Sequence, residues 1–433
     1  MYTQRFKNIS ETKFSGFVEI LTIVSFGLFP ILPNSIKGFP VVILVLNAVL
    51  SIFKNNHPEN NYIFQKRCFY ALIMTSIYIC YLFSSFYTQN ISDLSQKLET
   101  SLSLLLVPIC FIFLNIKSKH IAYFKITFIA TTIIFIVVFW SYLLFKTNNT
   151  SLYTISSDIL RNEIDSIPLL ALHPIYASLI FSISIFFLFS LRKKLRNYLL
   201  YSIVIILVLN IIALASKMAI ISLFIIIVYF LFKRKQKFYF KILTIFLIST
   251  TIITAVLYVP NLRHRFNEVA LSNTYEKVII WNSTSIRKGI YDCSIILLKK
   301  QWIFGYGIGD VQDNLNSCYE DKSDVLYIGK YNSHNQYLSI WLGTGILGFF
   351  IFLFLLAYNF NLALRCNDLL FEIILIFFIL NFLTENILQR QTGVILFSLL
   401  INLFGWSNFN QIKVINLKNI KGDINILSKR TRK

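Results

Sequence analysis

Residues 331–358 read YNSHNQYLSIWLGTGILGFFIFLFLLAY. The first eight, apart from Leu338, are polar or aromatic. The remainder, Ser339 to Tyr358, is almost wholly apolar and reaches the roughly 20 helical residues that cross a bilayer. A histidine, His334, therefore sits where a wet loop dives into a greasy helix. An imidazole in that half-desolvated place can take a proton from a hydroxyl. The plain alternative is that His334 and Asn335 only cap the helix.

Working outward, the chain has 433 residues, 56% of them hydrophobic, with a mean hydropathy of +0.65. Charged residues make up 14%, where a soluble protein carries roughly 25%. Apolar runs recur at about 16–32, 39–53, 68–86, 101–116, 126–145, 174–191, 198–214, 218–232, 242–258, 335–358, 371–384 and 393–406. They predict an all-α polytopic membrane protein of about twelve transmembrane helices, some tilted or broken because their runs are short. Residues 1–15 are polar, and the first run shows no small-residue cleavage site, so it reads as a retained span.

The net charge of +21 would suggest nucleic acid in a soluble chain. Here its distribution points to the membrane instead. With the N-terminus inside, and Glu19 and Glu372 counted at inner span ends, the inner segments hold 26 Lys+Arg against 6 Asp+Glu. The outer segments hold 15 against 14. Basic runs such as Arg192-Lys193-Lys194 and Lys233-Arg234-Lys235 fall inside, as the positive-inside rule requires. Both termini are thus expected in the cytoplasm, and no nucleic-acid partner is implied. The chain divides into a bundle of about nine spans (1–258), a large outer loop (259–333), the C-terminal spans (334–406) and a basic inner tail (407–433).

A structureless loop as long as 259–333 is improbable. Ser283, Thr284 and Ser285 offer N-caps. From Ile286 to Ile303 the pattern is amphipathic, with Ile290, Cys293, Leu297 and Trp302 opposite Arg287, Lys288, Lys299 and Lys300. Such a helix can lie on the membrane surface. It runs to Gly305-Tyr306-Gly307-Ile308-Gly309-Asp310, a glycine-rich turn that is no dinucleotide fingerprint, since neither a strand before it nor a helix after it is evident. Cys293 and Cys318 share the loop. They form a disulfide in an oxidising compartment or stand as two free thiols, and the spacing does not decide between these. No metal-ligand spacing is present.

Polar residues at outer span ends are the informative ones, because burying them is costly. His173-Pro174 opens the sixth span, and His334 opens the tenth. Ser216-Lys217-Met218 fills a turn too tight for a loop, and Lys217 has no acid near it in sequence, which favours an anionic ligand. Arg287 begins the loop helix. Each has an ordinary reading, as a cap, a snorkelling lysine or a solvated charge. Together they set two cations and two imidazoles in one plane, a combination that suits a lipid-linked diphosphate.

On these motifs the sequence resembles the O-antigen ligase family, which also holds O-antigen polymerases. The resemblance rests on His334-Asn335-Gln336-Tyr337-Leu338 followed by Gly345-Ile346-Leu347-Gly348, on Ser216-Lys217-Met218, on Arg287 running to Gly305-x-Gly307-x-Gly309-Asp310, and on His173-Pro174-Ile175-Tyr176. It covers residues 170 to 360. It implies a membrane glycosyltransferase (GT-C-like) fold in a bacterial inner membrane, with the large loop in the periplasm. It implies transfer of a glycan from undecaprenyl diphosphate to lipid A–core or another glycan, without metal or cofactor. His334 would be the catalytic residue, and Lys217 and Arg287 would hold the diphosphate. His173, Asn335, Gln336 and Asp310 are candidate substrate contacts. Two departures stand out: Lys217 replaces an arginine, and Gly343 stands where many members carry a glutamate. A transporter or flippase is disfavoured, because mid-span charges are scarce and one outer loop dominates. A cell-wall polymerase of another family would need an essential acid in that loop, Asp310 or Asp313.

Overall fold

The computed structural model describes residues 17–53, 61–114, 117–146, 156–270, 278–280 and 282–430; for 62, 63, 261, 270 and 412–430 it describes the backbone alone. The expected polar N-terminus, 1–15, lies outside the described residues. Everything regular among those residues is helical. We number the helices α1 (Phe17–Gly27), α2 (Phe39–Phe53), α3 (Asn61–Ser84), α4 (Ile91–Ser101), α5 (Ser103–Phe113), α6 (Ser118–Lys146), α7 (Ser157–Asp165), α8 (Pro174–Ser190), α9 (Asn197–Ala213), α10 (Lys217–Lys233), α11 (Phe238–Tyr258), α12 (Pro260–Ala270), α13 (Ser283–Lys300), α14 (Val311–Lys322), α15 (Asp324–Gly329), α16 (Gln336–Arg365), α17 (Leu369–Asn381) and α18 (Gln391–Arg430).

Among the described residues, seven helical segments are long and apolar enough to cross a membrane: Asn34–Phe53, Phe64–Ser84, Ile91–Phe113, Ser118–Lys146, Phe238–Tyr258, Gln336–Arg365 and Gln391–Gln411. Shorter apolar helices stand at the other expected stretches: α1, α8, α9 and α17, and the 17-residue α10. This is a multi-pass membrane architecture. Helix α8 lies at its centre, with an almost unbroken buried run from Pro174 to Leu188. The spanning part of α18 is 89% buried, whereas α11 has no buried residue and is the most peripheral span. In lipid, helices adhere through packing and interhelical hydrogen bonds rather than hydrophobic exclusion. The interior accordingly holds Tyr70 donating to Asn359 (2.8 Å), Thr132 beside Ser184 (2.9 Å) and Asn381 donating to Ser222 (3.2 Å).

The outer segment carries its own core. Helix α13 turns Ile286, Ile290, Cys293 and Leu297 against Leu315 and Tyr319 of α14, Leu326 of α15 and Leu342 of α16. Its apolar stripe is therefore buried by protein and does not rest on lipid, which corrects the surface-helix expectation; only Trp302 at its end stays half exposed. Cys293 and Cys318 are joined, with sulfurs 2.11 Å apart, so the free-thiol alternative falls away. The N-cap is Asn282, whose side chain accepts from the Thr284 and Ser285 amides (3.0 Å each), one residue ahead of the expected caps.

The glycine-rich turn also differs from expectation, since α14 begins directly after it at Val311. The turn inserts into a break in α16. Gly345 departs from helical geometry there (φ 68°, ψ −170°). The Tyr306 amide donates to the Leu342 carbonyl (2.7 Å) and the Ile346 amide to that of Trp302 (3.0 Å). A Cβ on Gly345 would lie 2.0 Å from the Ile303 carbonyl oxygen, so only glycine allows this approach.

The charge split predicts which side this outer core faces. Glu320 on α14 and Lys193 between α8 and α9 are both exposed. In cells with a permeabilised outer membrane, a cysteine at position 320 should react with a membrane-impermeant maleimide and one at 193 should not. The reverse pattern would overturn the orientation.

Candidate functional site

Two short segments of strained backbone set the site. Ala215 adopts φ +45° just before Ser216 and Lys217, and His334 itself adopts φ +42°. Left-handed backbone is uncommon in residues other than glycine and persists only where its surroundings enforce it. For His334 the clamps are visible. Its amide donates to Asn332 Oδ1 (3.0 Å), and its carbonyl accepts from the Tyr291 hydroxyl (3.1 Å). Tyr291 lies one helical turn after Arg287 on α13, so the loop helix fixes both the histidine backbone and the cation beside it.

Glu385 completes this group, and sequence reading passed over it. It stands in the short turn between α17 and α18. One carboxylate oxygen lies 3.3 Å from His334 Nδ1, and the other accepts from Arg287 Nη2. Arg287 also donates from Nε to the Thr384 carbonyl (3.3 Å). Burial alone would raise the Glu385 carboxyl, but the Arg287 charge and the His334 hydrogen bond outweigh it and bring it down to about 2. The carboxylate is thus ionised at neutral pH. It favours the tautomer with a proton on Nδ1, which leaves the lone pair on Nε2. Among the described residues, no protein hydrogen bond engages Nε2.

Lys217 opens α10. Its ammonium reaches Glu268 of α12 (2.8 Å) and Thr284 Oγ1 (3.2 Å), and Ser283 donates to the same Glu268 oxygen (2.7 Å). The acid that its sequence neighbourhood lacks therefore arrives from 51 residues away. Arg265 pairs with Asp158 of α7 and stands 3.6 Å from Glu268.

One further cation was not foreseen. Arg161 of α7 donates to the Leu214 carbonyl (3.2 Å), bracing the turn that presents Lys217. Among the described residues no carboxylate lies within 4 Å of it. Burial first, then the neighbouring Arg265 charge, push its guanidinium down to about 10, with Arg287 adding to the effect and Glu385 and Asp158 opposing it. A cation crowded by other cations, and not matched by its own acid, attracts an anion.

His173 joins this cluster. It is half-buried, and its Nδ1 is enclosed without a partner. Burial, then Arg390, hold it down at about 4 against the opposing charges of Asp165 and Glu385, so it is a neutral imidazole at pH 7.

The other candidate contacts are occupied by the protein. Asn335 caps α16 by accepting from the Tyr337 and Leu338 amides (2.9 and 3.1 Å). Gln336 is fully buried and accepts from the Leu388 amide (2.8 Å), while its own Nε2 is enclosed without a partner. Asp310 lies apart from the cluster and accepts from the Gln89 and Asn90 amides (2.8 and 2.7 Å), anchoring the turn between α3 and α4. Among the described residues, no group of three or more His, Cys, Asp or Glu side chains is arranged to hold a metal ion.

Compared with known families, residues 202–353 match the model described as O-antigen ligase. No curated protein matches the chain. The matched segment contains Lys217, Glu268, Arg287 and His334. Arg161, His173 and Glu385 lie outside it, on either side, and fold back onto it.

A carboxyl depressed to about 2 from its ordinary 4.5 contributes stability that is present above pH 4.5 and lost as pH falls toward 2. Glu385→Gln should therefore lower the Tm at pH 7, by the equivalent of roughly 2–3 kcal/mol. The gap to the parent protein should close below pH 4.5. A Tm gap that does not change with pH would contradict the ionised, charge-paired Glu385.

Proposed function

We propose that the protein transfers a glycan from undecaprenyl diphosphate to a hydroxyl of lipid A–core. The reaction would take place at the periplasmic face of a bacterial inner membrane, within a twelve-span fold of the membrane glycosyltransferase kind. The observation that carries this reading is the pairing of His334 with an ionised Glu385 beside cations that outnumber their carboxylate partners. The family match over 202–353 supports the same reading.

The steps follow from the groups present. The donor diphosphate sits among Arg161, Lys217 and Arg287, with Arg161 the cation least compensated by protein. His334 Nε2 accepts the proton of the acceptor hydroxyl. That oxygen bonds to the anomeric carbon from the side opposite the leaving group, which inverts the centre. The bond from that carbon to the diphosphate oxygen breaks, and the electron pair leaves with the diphosphate. The charge gained there is met by the guanidinium and ammonium groups. Glu385 orients the imidazole and stabilises it once protonated, as a carboxylate does for other catalytic histidines. His173, neutral and with a buried unpartnered nitrogen, offers a hydrogen bond to the bound sugar. No step calls for a metal. If a second lipid-linked repeat replaces lipid A–core, the same geometry makes a polymer. In a deletion strain, bare core indicates the ligase and core with a single repeat indicates the polymerase.

Transfer reconstituted in nanodiscs with chelator, at varied donor, separates the roles. His334→Ala should cost ~10²–10⁴-fold in kcat. Arg161→Ala, Lys217→Ala and Arg287→Ala should also raise the donor KM, because they hold charge that is present before and after bond breaking. Lys217→Arg should keep or improve donor use, since a guanidinium grips two phosphate oxygens at once. Near-normal turnover of His334→Ala would reduce that residue to a helix start and end this reading, and loss of activity to the chelator would end its metal-free form.

A further inference from the structure

Away from the cation cluster, two adjoining cavities of about 690 and 760 Å³ flank the α13–α14 hairpin and share Gln301, Tyr306 and Asn314. They make one groove. The glycine-rich turn forms its floor, and the turn between α3 and α4 forms one wall. From this groove we propose a saccharide-binding site for the sugars of the lipid-anchored acceptor, separate from the reacting centre. The identity of that acceptor rests on the transfer reading above.

Three observations carry the proposal. The first is a set of fixed rings. The Tyr87 hydroxyl donates to the Phe304 carbonyl (2.8 Å) and the Tyr306 hydroxyl to that of Leu297 (2.9 Å), so each ring is locked by its edge. Phe304 is 69% exposed. The electron-rich face of an aromatic ring suits the C–H face of a sugar.

The second is the polar complement. Gln89 and Gln301 are exposed, and among the described residues neither side-chain amide has a protein hydrogen bond. Asp313 receives one bond, from Asn90 (2.8 Å), through one oxygen and keeps the other. Among the described residues no Lys, Arg or His lines the first cavity, whereas Lys300 and Lys322 line the second, Lys322 paired with Asp292 (2.9 Å). In the first cavity the amides and carboxylates, without cations, match neutral hydroxyls. Concave sites that bind small polar ligands combine an apolar wall with a few such groups.

The third is position. Trp302, half exposed beside the groove, is of the type enriched at membrane–water boundaries. In this proposal the groove sits at that boundary, where sugars leave a lipid anchor. Gln301 lies 14 residues beyond Arg287, about 20 Å along the helix axis. The donor cations come from α7, α10 and the start of α13, whereas the groove is built from the far end of α13, α14 and the α3–α4 turn. A saccharide bound there is the acceptor's, held at a point remote from the attacked hydroxyl.

The test uses the full-length protein in nanodiscs, with rough lipopolysaccharide lacking O-antigen as acceptor. In the double variant Gln89→Ala/Gln301→Ala, half-saturation by this acceptor should rise about tenfold, with turnover at saturation and donor KM held. Delipidated core oligosaccharide should show saturation-transfer NMR contact with the parent protein, and the double variant should lose it. Unchanged half-saturation together with unchanged NMR contact overturns the site. NMR contact absent from both proteins also overturns it, and binding that instead follows the phosphatidylethanolamine content of the disc makes it a headgroup site. The NMR signal judges the groove whether or not His334→Ala is inactive, so failure here and failure of the transfer reading are told apart.

Discussion

The face of this protein that carries the candidate site depends on one carboxylate. Glu385 takes a hydrogen bond from His334 on one oxygen and from Arg287 on the other. It thereby ties the α17–α18 turn to the start of α16 and to the loop helix α13. A half-buried carboxylate between two cationic or potentially cationic groups is stable only while both stay in place, because an unpaired buried charge is costly. The same contact favours one histidine tautomer and holds the guanidinium beside the imidazole. Fold and chemistry therefore share a single electrostatic joint.

Much of the architecture was legible in the sequence. Apolar periodicity marks the spans, and a helix lies under each of the twelve expected stretches, although seven alone meet the length and composition of a membrane crossing. The residues at span ends, His173, Lys217, Arg287 and His334, were legible because polar groups stand out against hydrocarbon. Their partners were not. Glu268 and Glu385 lie 51 and 98 residues from the cations they meet, and an isolated acid in a short turn has no periodic signature. Arg161 is a single charge in the loop before the sixth span, and nothing beside it in sequence singles it out. The loop helix misled for a related reason. An amphipathic stripe says that one face is covered and does not say whether lipid or protein covers it, and here α14, α15 and α16 do. Asn335, Gln336 and Asp310 stand out because they sit in motifs, and their side chains accept from backbone amides that hold those motifs in shape, although Gln336 keeps a buried Nε2 without a partner and Asp310 lines the groove.

Helix α13 joins the two halves of the outer face. Its first turns present Arg287 and Tyr291 to the histidine, its middle is stapled to α14 through Cys293 and Cys318, and its end opens onto the groove beside the glycine-rich turn. That turn is locked into the break in α16 by backbone hydrogen bonds on both sides of Gly345. The helix that begins next to His334 is thus the one whose kink positions the groove. Such a shared rigid frame can hold two parts of a long substrate in fixed relation, which is what proximity effects require.

The central claim is that His334 and Glu385 act as one unit on the acceptor hydroxyl. A double-mutant cycle on kcat, with His334→Ala, Glu385→Gln and the two combined, tests it most directly. Each single variant should be severely slowed, and the combined variant should be no slower than His334→Ala alone. Losses that simply multiply would show two independent contributions and would contradict it.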